Sequence, residues 1–299
     1  MQIWVTFAVI AQFIWAFTSL IDKFVISKGY IRNPLVYIVL NGAMNALLIF
    51  LLPFVDFQPI NFMTFLLALF SSATVFMGIA FYYKAVQYEE ISRINILFQL
   101  IPIIVLLLSF IFLGDSLTKN HFIGFLFLVA ASLIVAYKKT NQAFKISRAF
   151  YYMLAASFLI AGAYVSAKYV FNTISFWNAV LLLRLTGFVA LFVLLVKSVR
   201  KEFFETFRTM KNNIKCLLGF KMVIDFSAFI LSDFAIFFGP VSLVSALSTS
   251  TAPLFVFTLA LLSTIYLPEF IKEDIRKEAI LTKVVAIALI IIGIVFVNI

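Results

Sequence analysis

The chain has 299 residues, 64% of them hydrophobic and 12% charged, with a net charge of +10 and a mean hydropathy of +1.13. A water-soluble domain hydrates its surface with about a quarter charged residues, so an ordinary soluble enzyme is excluded, and so is a disordered chain, which requires low hydrophobicity. Cys216 is the only cysteine and His121 the only histidine, which excludes a disulfide scaffold and leaves no set of residues expected to hold a metal or cofactor.

About 20 helical residues cross a bilayer core of roughly 30 Å. Apolar runs predict ten such spans, at 3–27, 33–54, 62–86, 91–113, 119–137, 149–171, 175–197, 216–238, 241–265 and 279–298. The first lacks a basic start and is too long for a secretory signal, so it is read as a membrane helix. The nearly unbroken hydrocarbon of Ile101 to Phe112 and of Ala286 to Val297 is the opposite of the alternation a membrane barrel needs. Two connections read as helices lying in the interface. In one, around Ser198 to Lys211, Phe203, Phe207 and Met210 share a face, with Arg200, Lys201, Arg208 and Lys211 placed for headgroups. The other is Glu269 to Glu278.

With the spans numbered in order, the odd-to-even connections hold 19 of the 23 basic residues, among them Lys23, Arg93, Lys138, Arg200 and Lys277. The opposite side, with both termini, holds only Lys119, while Lys168, Arg184 and Lys221 fall inside spans. Short Lys/Arg-rich loops stay cytoplasmic, so both termini are predicted outside a multi-pass cell membrane protein. The positive charge therefore faces anionic lipid headgroups rather than nucleic acid, for which no separate basic domain exists.

The second half repeats the first weakly. Phe13 to Ile26 lies over Phe158 to Phe171 without a gap, so that Lys23 meets Lys168, and in the same register Asn33 meets Asn178 and Gly42 meets Gly187. A shifted register brings Pro102 over Pro253, and Leu113-Gly-Asp115 over Leu267-Pro-Glu269. Five helices per half force the second copy into the membrane upside down, the inverted-repeat plan of secondary transporters. The expected fold is all-α, ten transmembrane helices in two inverted five-helix repeats, 1–140 and 147–299.

At these residues the chain resembles the drug/metabolite transporter superfamily in its EamA-like, ten-helix branch. The resemblance is carried by the Trp15 and Lys23 spacing, the unit from Tyr88 to Pro102 that continues to Asp115 and Gly124, and the matching unit from Pro240 to Pro253 that ends at Glu269. It implies transport of a small molecule by alternating access, with the helices around Pro102 and Pro253 lining a central cavity. Members commonly keep both ends in the cytoplasm, whereas the charge asymmetry here says the reverse.

An ionised group at the centre of an isolated membrane helix costs about 2.5 to 3.5 kcal/mol, so buried charges mark candidate sites. Arg184 and Asp225 are expected to pair or to converge on a charged substrate. Asp233 and Lys168 form a second set, with Asp233 able to exchange a proton and Lys168 able to snorkel. Lys221, one turn before Asp225, shares its face. Pro102 and Pro253 are expected to kink their helices and free the carbonyls of Phe98 and Thr249, beside Asn95, Gln99 and Thr249. Trp15, Tyr82, Tyr83 and Tyr164 combine an aromatic body with a polar tip suited to a cavity wall. Asn41 and Asn45 read as helix-packing residues.

No phosphate loop, Ser/His/Asp set or acidic metal cluster is present in the sequence. Asp225 and Asp233 lie about 80° apart around one helix, too far to share a proton as an aspartyl enzyme requires. The function expected is secondary transport of a small polar or amphipathic metabolite, with protons as a possible coupling partner. The alternatives are a flippase or exchanger for a phosphorylated or lipid-linked sugar, served by Arg184 and Lys168, and a non-transporting membrane scaffold.

Overall fold

A computed structural model of the chain describes residues 2–31, 33–47, 55–56, 58–86, 88, 97–98, 100–136, 148–266 and 277–298. These residues form α1 (Ile3–Ser27), α2 (Pro34–Leu47), α3 (Phe62–Val86), α4 (Leu100–Leu113), α5 (Lys119–Ala136), α6 (Arg148–Thr173) and α7 (Phe176–Leu185). A 3-10 helix at Thr186–Leu195 continues α7, and α8 (Lys197–Thr209), α9 (Asn212–Phe238), α10 (Val241–Tyr266) and α11 (Lys277–Asn298) complete the order. The described residues are all-helical, without strands. Among the described residues, four helices are long and apolar enough to cross a membrane, over Ile3–Asp22, Phe62–Tyr82, Arg148–Thr173 and Phe176–Leu195. Apolar stretches also lie in α4, α5, α10 and α11, and α9 is interrupted by Lys221, Asp225 and Asp233.

Local chemistry sets the helix ends. Asn61 accepts from the Thr64 amide at 2.7 Å and starts α3, and Thr118 does the same for His121 at the start of α5. Asn33 caps Leu35 at 3.0 Å with Pro34 at the first helical position, and its amide donates to Glu202 Oε2 at 2.9 Å, which fastens α8 to the start of α2. Gly29, at φ +71°, closes α1 with Tyr30 N–H on the Val25 carbonyl.

In the packing, α3 lies against α6 and α1 against α9, with α1 also touching α10 and α4 touching α6. Two crossings are set by glycine. A Cβ on Gly42 of α2 would come within 2.7 Å of the Ala190 side chain, and one on Gly187 within 3.0 Å of Asn45. At the other end of the molecule, a Cβ on Gly124 would meet Val297 at 2.6 Å and the Gly293 carbonyl at 2.8 Å. Close helix approach in a bilayer depends on such small residues, because lipid supplies no hydrophobic drive between helices. Gly42→Val and Gly187→Val are each expected to lose about 1 to 3 kcal/mol by overpacking. Gly219→Ala, whose added methyl meets nothing within 4 Å, should be neutral or slightly stabilising; thermal denaturation of the three variants in detergent checks the contrast.

The apolar face of α8 packs on the protein itself. Met210 is buried with Val25, Ile31, Val36, Leu40, Ile214 and Leu218, and Phe203 and Phe207 pack against that cluster. Arg200, Lys201, Arg208 and Lys211 stay exposed. The second interfacial segment, Glu269 to Glu278, falls almost wholly outside the described residues.

Candidate functional site

A cavity of about 340 Å³ opens among α1, α2, α3, α6, α7 with its 3-10 extension, and α9. Its wall takes Trp15, Asn45, Ser71, Ser72 and Phe76 from the first half of the chain, and Tyr164, Arg184, Gly187, Phe229, Ser232 and Asp233 from the second. The volume falls in the range of small-molecule sites, which are mostly apolar with a few convergent polar groups.

Arg184 sits one residue before the end of α7. Thr186 ends the α-helical winding there: its hydroxyl bonds the carbonyls of Leu182 and Leu183, and meets the Ser72 hydroxyl at 2.8 Å. Ser72 also donates to the Leu183 carbonyl at 3.0 Å, and Ser71 to that of Ala163 at 3.0 Å, so α3 positions both neighbouring helices. Ser72→Ala should loosen the Arg184 mount at a cost of about 1 kcal/mol, read as a fall in melting temperature with an unchanged fold.

The guanidinium Nη2 of Arg184 donates to Asp233 Oδ2. Its Cζ lies 4.6 Å from the ring centroid of Phe229, a cation–π arrangement, and Trp15 meets the same ring edge-on at 5.1 Å. Arg184 Nε is buried and has no hydrogen-bond partner among the described residues.

The partner of Arg184 is thus Asp233 and not the expected Asp225. Asp225 sits about 80° further round α9 and accepts from Lys221 Nζ at 2.6 Å, while Asp22 of α1 approaches the same ammonium at 3.2 Å. Lys221 is therefore a buried bridge between α1 and α9 and does not reach headgroups. Asp225 borders a separate void of about 10 Å³ whose lining shares Asn45 and Phe229 with the main cavity.

Lys168 does not snorkel. Its ammonium donates to the carbonyls of Ile236, Phe237 and Gly239 at 2.8, 2.9 and 3.0 Å, capping the end of α9. Asp115, in the α4–α5 connection after Gly114, feels that charge. Burial pushes its carboxyl up from the ordinary range, and Lys168 opposes the shift.

Of the remaining candidates, Trp15 and Tyr164 line the cavity. Tyr82 instead packs on Phe98 at 5.0 Å beside Ala85, Ala149 and Met153. Thr249 donates to the carbonyls of Ser245 and Ala246 in its own helix and is not on the cavity wall. Pro102 lies in the first turn of α4, where its missing N–H breaks no helical bond, and the Phe98 carbonyl expected to be free accepts from Ile101 N–H at 3.0 Å. Pro253 sits inside α10, which continues past it on both sides. Asn95, Gln99 and the side chains of Tyr83 and Asn41 lie outside the described residues.

Sequence reading missed Ser71, Ser72, Phe76, Phe229 and Ser232, and treated Asn45 as a packing residue. The adjacent serines in α3 were the available signal, since paired hydroxyls inside an apolar span need acceptors. Phe229 carried none among 38 phenylalanines.

Residues 2–137 match the EamA-like transporter family, which bears out the resemblance to the drug/metabolite transporter superfamily. No curated protein matches the sequence. A solved structure titled only "Crystal structure of protein" is similar with a TM-score of 0.67 and 15% identity, covering 99% of this chain and 98% of that one, so the fold extends over both halves. The apolar helices fit a multi-pass membrane protein, and the family that residues 2–137 match is one of membrane transporters.

Proposed function

We propose that the chain is a secondary transporter that moves a small polar or amphipathic metabolite by alternating access, with Arg184 and Asp233 at the centre of its substrate site. One observation carries the reading: a half-buried guanidinium paired with a buried carboxylate faces a cavity whose wall is drawn from both halves of the chain. Buried charges are expensive to retain in a membrane and concentrate on substrate and ion paths.

The reading includes two inverted five-helix units, 1–140 and 147–299, making ten spans. Reciprocal contacts support it. In the sequence register that superposes Gly42 on Gly187, Asn45 falls on Ala190; Gly42 abuts Ala190, and Asn45 abuts Gly187. A two-fold axis demands this exchange of partners. The packing of α3 on α6 and of α1 on α9 has the same form, because α1 corresponds to α6 and α3 to α9. The sidedness follows from the charge asymmetry, with both termini outside and the basic connections, α8 among them, in the cytoplasm.

The alternative of a phosphorylated or lipid-linked sugar draws on Arg184 alone, because all three protons of Lys168 are engaged by carbonyls. The test is flux in proteoliposomes against a panel of amino acids, nucleobases, sugar phosphates and organic ions. Saturable uptake of at least one compound, lost in Arg184→Leu, is the expected result; no flux of any compound above protein-free vesicles would remove the reading.

A further inference from the structure

The ion pair restricts the charge of what the cavity accepts, an inference that rests on the cavity being a solute site. Among the described residues, Arg184 and Asp233 are the charged side chains on the wall. A guanidinium keeps its proton in any protein environment, whereas a carboxylate left in an apolar site without its cation takes one up. The pair can therefore be discharged from one side only. An anion that replaces Asp233 on Arg184 leaves the cavity neutral once Asp233 is protonated. A cation that replaces Arg184 on Asp233 leaves a guanidinium that has no means of losing its charge.

The donor inventory points the same way. Arg184 carries five N–H donors, of which the pair uses Nη2, and Nε is buried without a partner among the described residues. Other charged groups near Asp233 are already matched. On its own helix, Asp225 is held by Lys221, which Asp22 of α1 also approaches. From α6, Lys168 is bound to carbonyls and Tyr164 presents a neutral phenol. The α2 and α3 walls offer Asn45, Ser71 and Ser72, and α10 contains no Asp, Glu, His, Lys or Arg. Trp15, Phe76, Tyr164 and Phe229 supply faces for an aromatic body.

We propose that the cavity takes a small aromatic organic anion together with one proton, received by Asp233 as the anion replaces it on Arg184, and that it refuses organic cations. The proton comes from the solution on the side of binding and leaves when the Arg184–Asp233 pair re-forms after release. No other bond changes.

Calorimetric titration of the purified full-length protein tests this with three probes: 2-naphthalenesulfonate, a permanent anion; phenylalanine, a zwitterion; and phenyltrimethylammonium, a permanent cation. Buffers of different ionisation heat count the protons taken up. The sulfonate is expected to bind with uptake approaching one proton, its affinity falling tenfold per pH unit on the alkaline limb, and the cation is expected not to bind. Asp233→Asn should bind the sulfonate with no proton uptake and no pH dependence. Sulfonate binding without proton uptake, cation binding of equal strength, or tighter binding of phenylalanine without protons would each overturn the proposal and leave a solute cavity standing. If none of the three binds, the proposal falls, and the flux panel alone decides whether the cavity takes a solute. Should Asp233→Asn fail to fold, the proton count in the unaltered protein decides.

Discussion

Arg184→Leu is expected to destabilise the protein by about 3 to 5 kcal/mol, the range for removing one partner of a buried ion pair, and to abolish solute flux. The loss comes from Asp233, which is 4% exposed and, without its counter-charge, must either stay ionised in an apolar site or be folded in with a proton it does not hold in water. Arg184→Leu/Asp233→Leu should recover most of the stability, because two apolar side chains replace a desolvated pair at little net cost. It should not recover flux. Melting temperatures in detergent and uptake into proteoliposomes separate the two effects. A single variant that melts within a degree of the parent would show that the pair is open to water and not the buried site described above.

Lys221→Met should have an effect at least as large, about 3 to 5 kcal/mol or more, since one ammonium serves the two carboxylates of Asp22 and Asp225. Without it, two acids are left together between α1 and α9, with the Asp225 carboxylate buried and that of Asp22 one-third exposed. Adding Asp22→Asn and Asp225→Asn should return the melting temperature towards the parent value. That triple variant is also expected to bind solute, because none of the three residues lines the main cavity. Recovery of stability with lost binding would instead place Asp225 in the substrate path.

The contrast between these two clusters shows what a sequence can yield for a chain of this kind. The cost of charge in hydrocarbon singled out Arg184, Asp225, Asp233, Lys168 and Lys221, and all five are buried or half-buried with polar partners. The choice of partner was not legible. It depends on how α9 is rotated against α1 and α7, and about 80° of helix separates Asp225 from Asp233, enough to send them to different neighbours. Helix positions followed from apolar runs, but not the winding within them. The Thr186-Gly187 pair, with Thr186 bonded back to Leu182 and Leu183, ends α7 inside what reads as one uniform span. Pro102 misled for a similar reason. A proline breaks a helix only from its interior, and α4 starts two residues before it. Thr249 satisfies its hydroxyl within its own turn, an arrangement open to any threonine in a helix and therefore silent about a cavity.

The 3-10 winding of Thr186–Leu195 has a mechanical consequence. Ten residues advance about 20 Å in that form and about 15 Å as an α-helix, so the stretch carries the chain from Arg184 to the exposed cations of α8 with about three residues fewer than α-helical winding would need.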